Sequence, residues 1–187
     1  MNQTIQFWRL PVVLLIGLMA AGCATQSPGH ITKTESKVTG EQAVQMSPGF
    51  IGDDLRMGLV YGPSVSKDSV LVTAGVNEIA TIASGQSLLI RVDETVYRFR
   101  SSTTTRVKPG DPSIENNIFA DGERLSQRSF SSKNYLLPVS LLKDMVRSDT
   151  CFVQVRTTEG YVEGDFHDGG NASAKKGVRE FLGTIEQ

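Results

Sequence analysis

The chain has 187 residues, 39% hydrophobic and 21% charged, the balance of a globular protein with one sizeable core and a tail rather than of a disordered one. Residues 1–22 hold one charged side chain, Arg9, so from residue 23 onward 18 Lys and Arg oppose 20 Asp and Glu, a net charge of −2. A general nucleic-acid binder needs a strong basic excess, so no nucleic-acid partner is expected.

Residues 1–9 are of mixed polarity and end in Arg9, and Leu10–Ala20 is an apolar run of 11 residues followed by Ala21-Gly22-Cys23. A membrane-spanning helix needs about 20 apolar residues, so this run is too short to span. It ends in small side chains, as a signal peptide does before its cleavage site. The stretch Leu18-Met19-Ala20-Ala21-Gly22-Cys23 resembles the lipobox of bacterial lipoproteins, with Ala20 standing where that family most often has leucine. The resemblance covers about 23 residues and does not reach the remaining domain. It implies removal of residues 1–22, a lipid on the Cys23 thiol (palmitate among its acyl chains), and attachment to an envelope membrane. Two or more acyl chains hold a protein stably on a bilayer, where one gives only marginal binding. Position 24 is Ala rather than the aspartate that favours inner-membrane retention in enterobacterial lipoproteins. By the same resemblance the expected location is the outer membrane, with the domain facing the periplasm.

Residues 24–49 are rich in Ser, Thr, Gly, Lys and Glu, with Pro28 and Pro48 near the ends and no sustained apolar period. They read as a flexible tether (residues 23–49) ahead of a single domain over 50–187. Such a tether would have an r.m.s. span of roughly 28 Å.

The domain pattern is of short strands and two helices. Met57–Tyr61 and Ser69–Thr73 are apolar or β-branched runs bounded by Gly62-Pro63 and Gly75, and Ile79–Ala83 is a weaker strand candidate. The clearest hairpin joins Ser87–Val92 to Thr95–Arg100 through Asp93-Glu94. Opposed residues share a face, so Val92 meets Thr95, Ile90 meets Tyr97 and Leu88 meets Phe99 on an apolar side. Leu89, Arg91, Val96, Arg98 and Arg100 fall on the other. Short strands are expected around Arg106 and around Ile114–Phe119. Pro138–Val146 reads as a short helix with Val139, Leu142 and Val146 on one face, Leu141 and Met145 beside it, and Pro138 at its start. Cys151–Arg156 and Tyr161–Phe166 form a second hairpin that sets Val155 against Val162, Val153 against Gly164 and Cys151 against Phe166. Ala174, Val178, Phe181, Leu182 and Ile185 make a helical stripe, with Asn171 or Ser173 as cap. The expected class is α+β: an antiparallel sheet built from hairpins, a short helix near 139–147, and a C-terminal amphipathic helix packed on one face.

Chemistry-bearing clusters are sparse. Asp165, His167 and Asp168 combine carboxylate and imidazole, and a small metal-dependent envelope enzyme is the alternative reading they allow. Two or three ligands from one strand do not complete a metal centre, so no metal site is expected. Arg91, Arg98 and Arg100, with Arg106 and Lys108 nearby, form a candidate anion-binding face for the phosphates or carboxylates of lipopolysaccharide or cell-wall polymer. No Gly-x-Ser-x-Gly, Ser-x-x-Lys or phosphate-binding glycine loop occurs. The expectation is therefore a non-enzymatic accessory or binding module without cofactor, contacting an envelope protein or polymer. With Cys23 lipidated, Cys151 has no partner in the chain and reads as a buried small hydrophobe.

Overall fold

The hairpin seen most clearly in the sequence forms with the expected register. β5 (Gln86–Val92) and β6 (Thr95–Arg100) pair Val92 with Thr95, Ile90 with Tyr97 and Leu88 with Phe99. Asp93 closes the two-residue turn in the left-handed region at φ 52°, a conformation that Asp adopts more readily than most side chains. The computed structural model describes residues 28–109, 129–169 and 173–187. The expected signal peptide over 1–22, Cys23, the strand expected at Ile114–Phe119 and the expected Asn171 cap lie outside them.

The fold is mostly antiparallel β, in two sheets rather than the one expected, with two helices. Short alternating runs supply β3 (Leu55–Tyr61) and β4 (Ser69–Val76), joined through the Gly62-Pro63 turn. β8 (Phe130–Pro138) pairs along the whole of β4, from Ser69 opposite Pro138 to Val76 opposite Ser131. β7 (Arg106–Lys108), the strand expected around Arg106, closes that edge. The other edge is β1 (Ile31–Glu35) and β2 (Gln42–Ile51), giving a six-stranded sheet ordered β1-β2-β3-β4-β8-β7. The second sheet runs β10-β9-β5-β6, with β9 (Cys151–Arg156) and β10 (Tyr161–Asp165) forming the expected second hairpin. In it Val155 meets Val162, and Val153 meets Gly164.

Residues 31–49 were expected within a flexible tether, and the structure corrects this: they are the paired strands β1 and β2. The folded part therefore includes residues 28–49, ahead of the expected boundary at 50. The apolar pattern of β2 is broken by a bulge between Met46 and Gly49, where Pro48 has no N–H to give to the ladder. Its stability comes from neighbours. Val44, Met46 and Ile51 are buried, each worth about 1.5–3 kcal/mol on removal from water. Opposite the bulge, a Cβ on Gly58 would lie 3.2 Å from the Met46 carbonyl oxygen and 3.3 Å from Pro48 Cγ, so a larger residue there would press the two strands apart by a few tenths of an ångström. Ile79–Ala83 is not a strand either; it contributes one isolated bridge, Ile82 to Thr157.

The two sheets face each other across a core built from Leu55, Met57, Val70, Val72, Leu137, Leu88, Ile90, Val153 and Val155. Close approach at one corner is set by Gly164, where a Cβ would come within 2.5 Å of the Ile51 carbonyl oxygen. A β-bulge between Gln86 and Leu88 re-aims Ser87 inward, and its hydroxyl meets the Tyr135 hydroxyl at 2.9 Å. That bond satisfies two polar groups that burial would otherwise penalise.

α1 (Val139–Arg147) begins after Pro138, as expected, but its buried side chains are Leu141, Leu142 and Met145. Val139 and Val146 only flank the core, so the helix is rotated from the expected face. α2 (Ala174–Ile185) buries Ala174, Val178, Phe181 and Leu182, with Ile185 partly covered. Ser173 occupies the cap position, yet its hydroxyl donates to the His167 carbonyl at 2.6 Å instead of capping the helix. α2 lies on β2: a Cβ on Gly177 would sit 2.8 Å from Met46 Sδ and 3.1 Å from the Gly29 carbonyl oxygen.

Candidate functional site

The apolar rows of β5 and β9 face the core, so parity turns the alternate residues outward. Register then assembles a surface that runs across all four strands of the second sheet. One row reads Asp165, Phe152, Arg91 and Val96; the next reads Glu163, Gln154, Leu89 and Arg98. A third holds Tyr161 opposite Arg156 on one side and Gln86 opposite Arg100 on the other. Arg91, Arg98 and Arg100 are all exposed on this face. Arg91 and Arg98 are diagonal neighbours, which puts their Cα atoms roughly 7–8 Å apart.

The environments of the three differ. The Arg91 guanidinium stacks over Phe152, 4.5 Å from the ring centroid, which orients it at a gain of about 0.5–1 kcal/mol for an exposed site. Arg98 and Arg100 make no ion pair among the described residues. Across the sheet, β10 offers carboxylates: Glu163 accepts a hydrogen bond from Gln154 Nε2 at 3.2 Å, and Asp165 is exposed. The face therefore carries an acidic edge at β10 and a basic edge at β6. Planar guanidinium forks with free donors grip phosphate or carboxylate oxygens in pairs. Half-buried Phe152 and Leu89 supply an apolar floor between the edges.

Arg106 and Lys108, expected nearby, stand on β7 at the edge of the other sheet. Arg156, Phe152 and Tyr161 belong to the face and were not expected there. The signal that could have found them was the outward parity of the second hairpin, once β9 is set beside β5.

The Asp165, His167 and Asp168 cluster does not converge. Asp168 accepts a hydrogen bond from Arg179 at 2.7 Å, and that guanidinium, through the bond first and its charge second, holds the carboxyl below the usual range. His167 Nδ1 lies 3.1 Å from the backbone oxygen of Asp165, not from a carboxylate. Among the described residues no three His, Cys, Asp or Glu side chains group as metal ligands.

Cys151 is buried, and burial pushes its thiol up to about 12, against the pull of the nearby Lys175 ammonium and with a small addition from Asp93. Lys175 is itself buried and donates to the Ser148 carbonyl at 2.8 Å, while the Ser148 hydroxyl donates to Asp93 at 2.6 Å. This network ties the end of α1 to the β5–β6 turn. A separate open groove of about 490 Å³ is lined by Tyr61, Lys67, Asp68, Val139, Lys143 and Glu186, with Lys143 and Glu186 paired at 2.7 Å.

No helix among the described residues is long and apolar enough to cross a membrane. No protein-family model, curated protein or solved structure matches the chain.

Proposed function

We propose that the protein is a lipid-anchored component of the bacterial envelope, attached through Cys23 and held in the outer membrane facing the periplasm. Its α+β domain acts there as a non-enzymatic binding module. The observation that carries this reading is the sequence Leu10–Cys23: an apolar run too short to span a bilayer, closing on small residues and a cysteine. The exposed basic edge at Arg98 and Arg100, next to the stacked Arg91, supports a role in gripping anionic groups of an envelope component.

The test is Cys23→Ser expressed in cells fed radiolabelled palmitate. The reading expects loss of label and retention of residues 1–22, the uncleaved apolar run Leu10–Ala20 then being the only hold on the membrane. Unchanged labelling and processing in the variant would sink it. Crosslinking in intact cells then identifies the partner, and an Arg98→Ala, Arg100→Ala double variant should lose that crosslink while keeping its fold.

A further inference from the structure

The correction at the N-terminus shortens the distance between the lipid and the fold. The first described residue is Pro28, and five residue steps separate it from Cys23. Whatever its conformation, a chain of that length reaches at most about 18 Å. A compact body of the roughly 140 described residues has a radius of gyration near 14 Å, hence a diameter of about 37 Å. The leash is half the width of what it holds, so the two sides of the domain cannot be presented to the bilayer equally.

Which side is tied down follows from the packing. Gly29 donates its N–H to the Ser47 carbonyl at 3.2 Å and lies against the first turns of α2, where a Cβ on Gly177 would be 3.2 Å from Gly29 Cα. His30 and Lys176 are the exposed neighbours of that contact. The basic edge is remote from it. β6 is the last strand of the second sheet, three strand spacings or roughly 14 Å beyond β10. β10 in turn sits beside the end of β2. Just after β6, the Thr103 hydroxyl accepts from the backbone N–H of Asn134 on β8, three strands across the six-stranded sheet from β2.

We infer that the short leash turns the side where β1 begins beside α2 toward the anchoring bilayer, and turns the arginine edge of β6 away from it. The inference rests on the lipid-anchor reading and deepens it. The arginine face then meets an anionic polymer arriving from the aqueous side, not the headgroups of the membrane that holds the protein.

The experiment uses the lipidated protein, purified from membranes and reconstituted into vesicles of phosphatidylethanolamine and phosphatidylglycerol. Single fluorophores are placed through His30→Cys, Lys176→Cys or Ser102→Cys, each exposed in the native chain. Buried Cys151 stays unlabelled, and all the arginines are retained. Lipids with nitroxide headgroups should quench positions 30 and 176 several-fold more than position 102. Inserting about twenty Gly and Ser residues after Thr25, a leash of roughly 25 Å r.m.s. on its own, should erase most of the difference. Equal quenching in the native-length protein, or stronger quenching at position 102, overturns the orientation. Cys23→Ser separates the two readings: a variant that still takes up palmitate label and is still cleaved overturns the anchor itself. Loss of label in that variant together with equal quenching in the lipidated protein overturns the orientation alone.

Discussion

The hairpins β1–β2 and β5–β6 reach the same kind of structure by different routes. β5–β6 carries its own instructions: apolar residues Leu88, Ile90 and Val92 on one face with Phe99, Tyr97 and Thr95 opposite them, and a turn that sets parity. β1–β2 has Thr, Lys and Glu through β1, a proline inside β2 and no sustained apolar period. Its register is held by contacts with β3 and with α2, where Met46 and Gly29 meet Gly177. The difference teaches that strand formation at a sheet edge can be imposed by a distant helix on sequence that reads locally as linker.

The largest expected effect lies in the self-specified hairpin. Ile90 is fully buried between the sheets, so Ile90→Ala should cost about 2–5 kcal/mol in denaturant melts. A loss under 1 kcal/mol would remove β5 from the centre of the core.

Alkaline pH comes next. The folded Cys151 thiol ionises near 12, against 9.0 for the ordinary thiol. Above pH 9 the unfolded chain has lost the proton that the folded chain keeps. Stability from this group is therefore complete below pH 9 and falls as pH rises toward 12, by about 1.4 kcal/mol per unit. Burial also raises Tyr135, which acts in the same direction at higher pH. Cys151→Ala should flatten the slope between pH 9 and 10, measured by urea melts at each pH; an unchanged slope would count against the buried thiol.

Two glycines of α2 sharpen the contrast between the hairpins. Gly183 has nothing within 4 Å of an added Cβ, so Gly183→Ala should stabilise by about 1 kcal/mol through helix propensity alone. At Gly177 the same change meets backbone of Gly29 at 3.1 Å, and overpacking should cost about 1–3 kcal/mol before that gain. Hydrogen exchange should show β1 losing protection in Gly177→Ala while β5–β6 keeps it. Equal behaviour of the two hairpins would break the comparison.

The smallest effects belong to the surface. Asp168→Asn removes the exposed pair with Arg179, half exposed on both sides, and should cost under about 1 kcal/mol, since solvent screens such pairs. Asp168 is held low, so its contribution is present above the ordinary carboxylate pKa and disappears as pH falls through its lowered folded value. Arg98→Ala and Arg100→Ala should change stability by no more than about 0.5 kcal/mol.

The candidate face was legible as far as one hairpin reaches. Parity alone placed Arg91, Arg98 and Arg100 together. It could not place Phe152 beneath Arg91, because that contact needs β9 to pair with β5 across some sixty residues of chain. The bulge at Ser87 was also hidden, since its reason is the Tyr135 hydroxyl on the other sheet. Asp168 looked available as a ligand because Arg179, its partner, lies on a helix whose placement no local pattern reveals.

By itself the sequence determined what short-range geometry controls: the register and faces of both central hairpins, the span of α1 and α2, and the burial of Cys151. Side-chain period and turn chemistry act within a few residues, and they leave a readable pattern. Only the tertiary structure decided that the strands divide into two sheets, that residues 31–49 join one of them, and that the basic edge gains an aromatic floor. Those outcomes depend on pairings between distant segments, whose free energy resides in contacts that neither segment encodes alone.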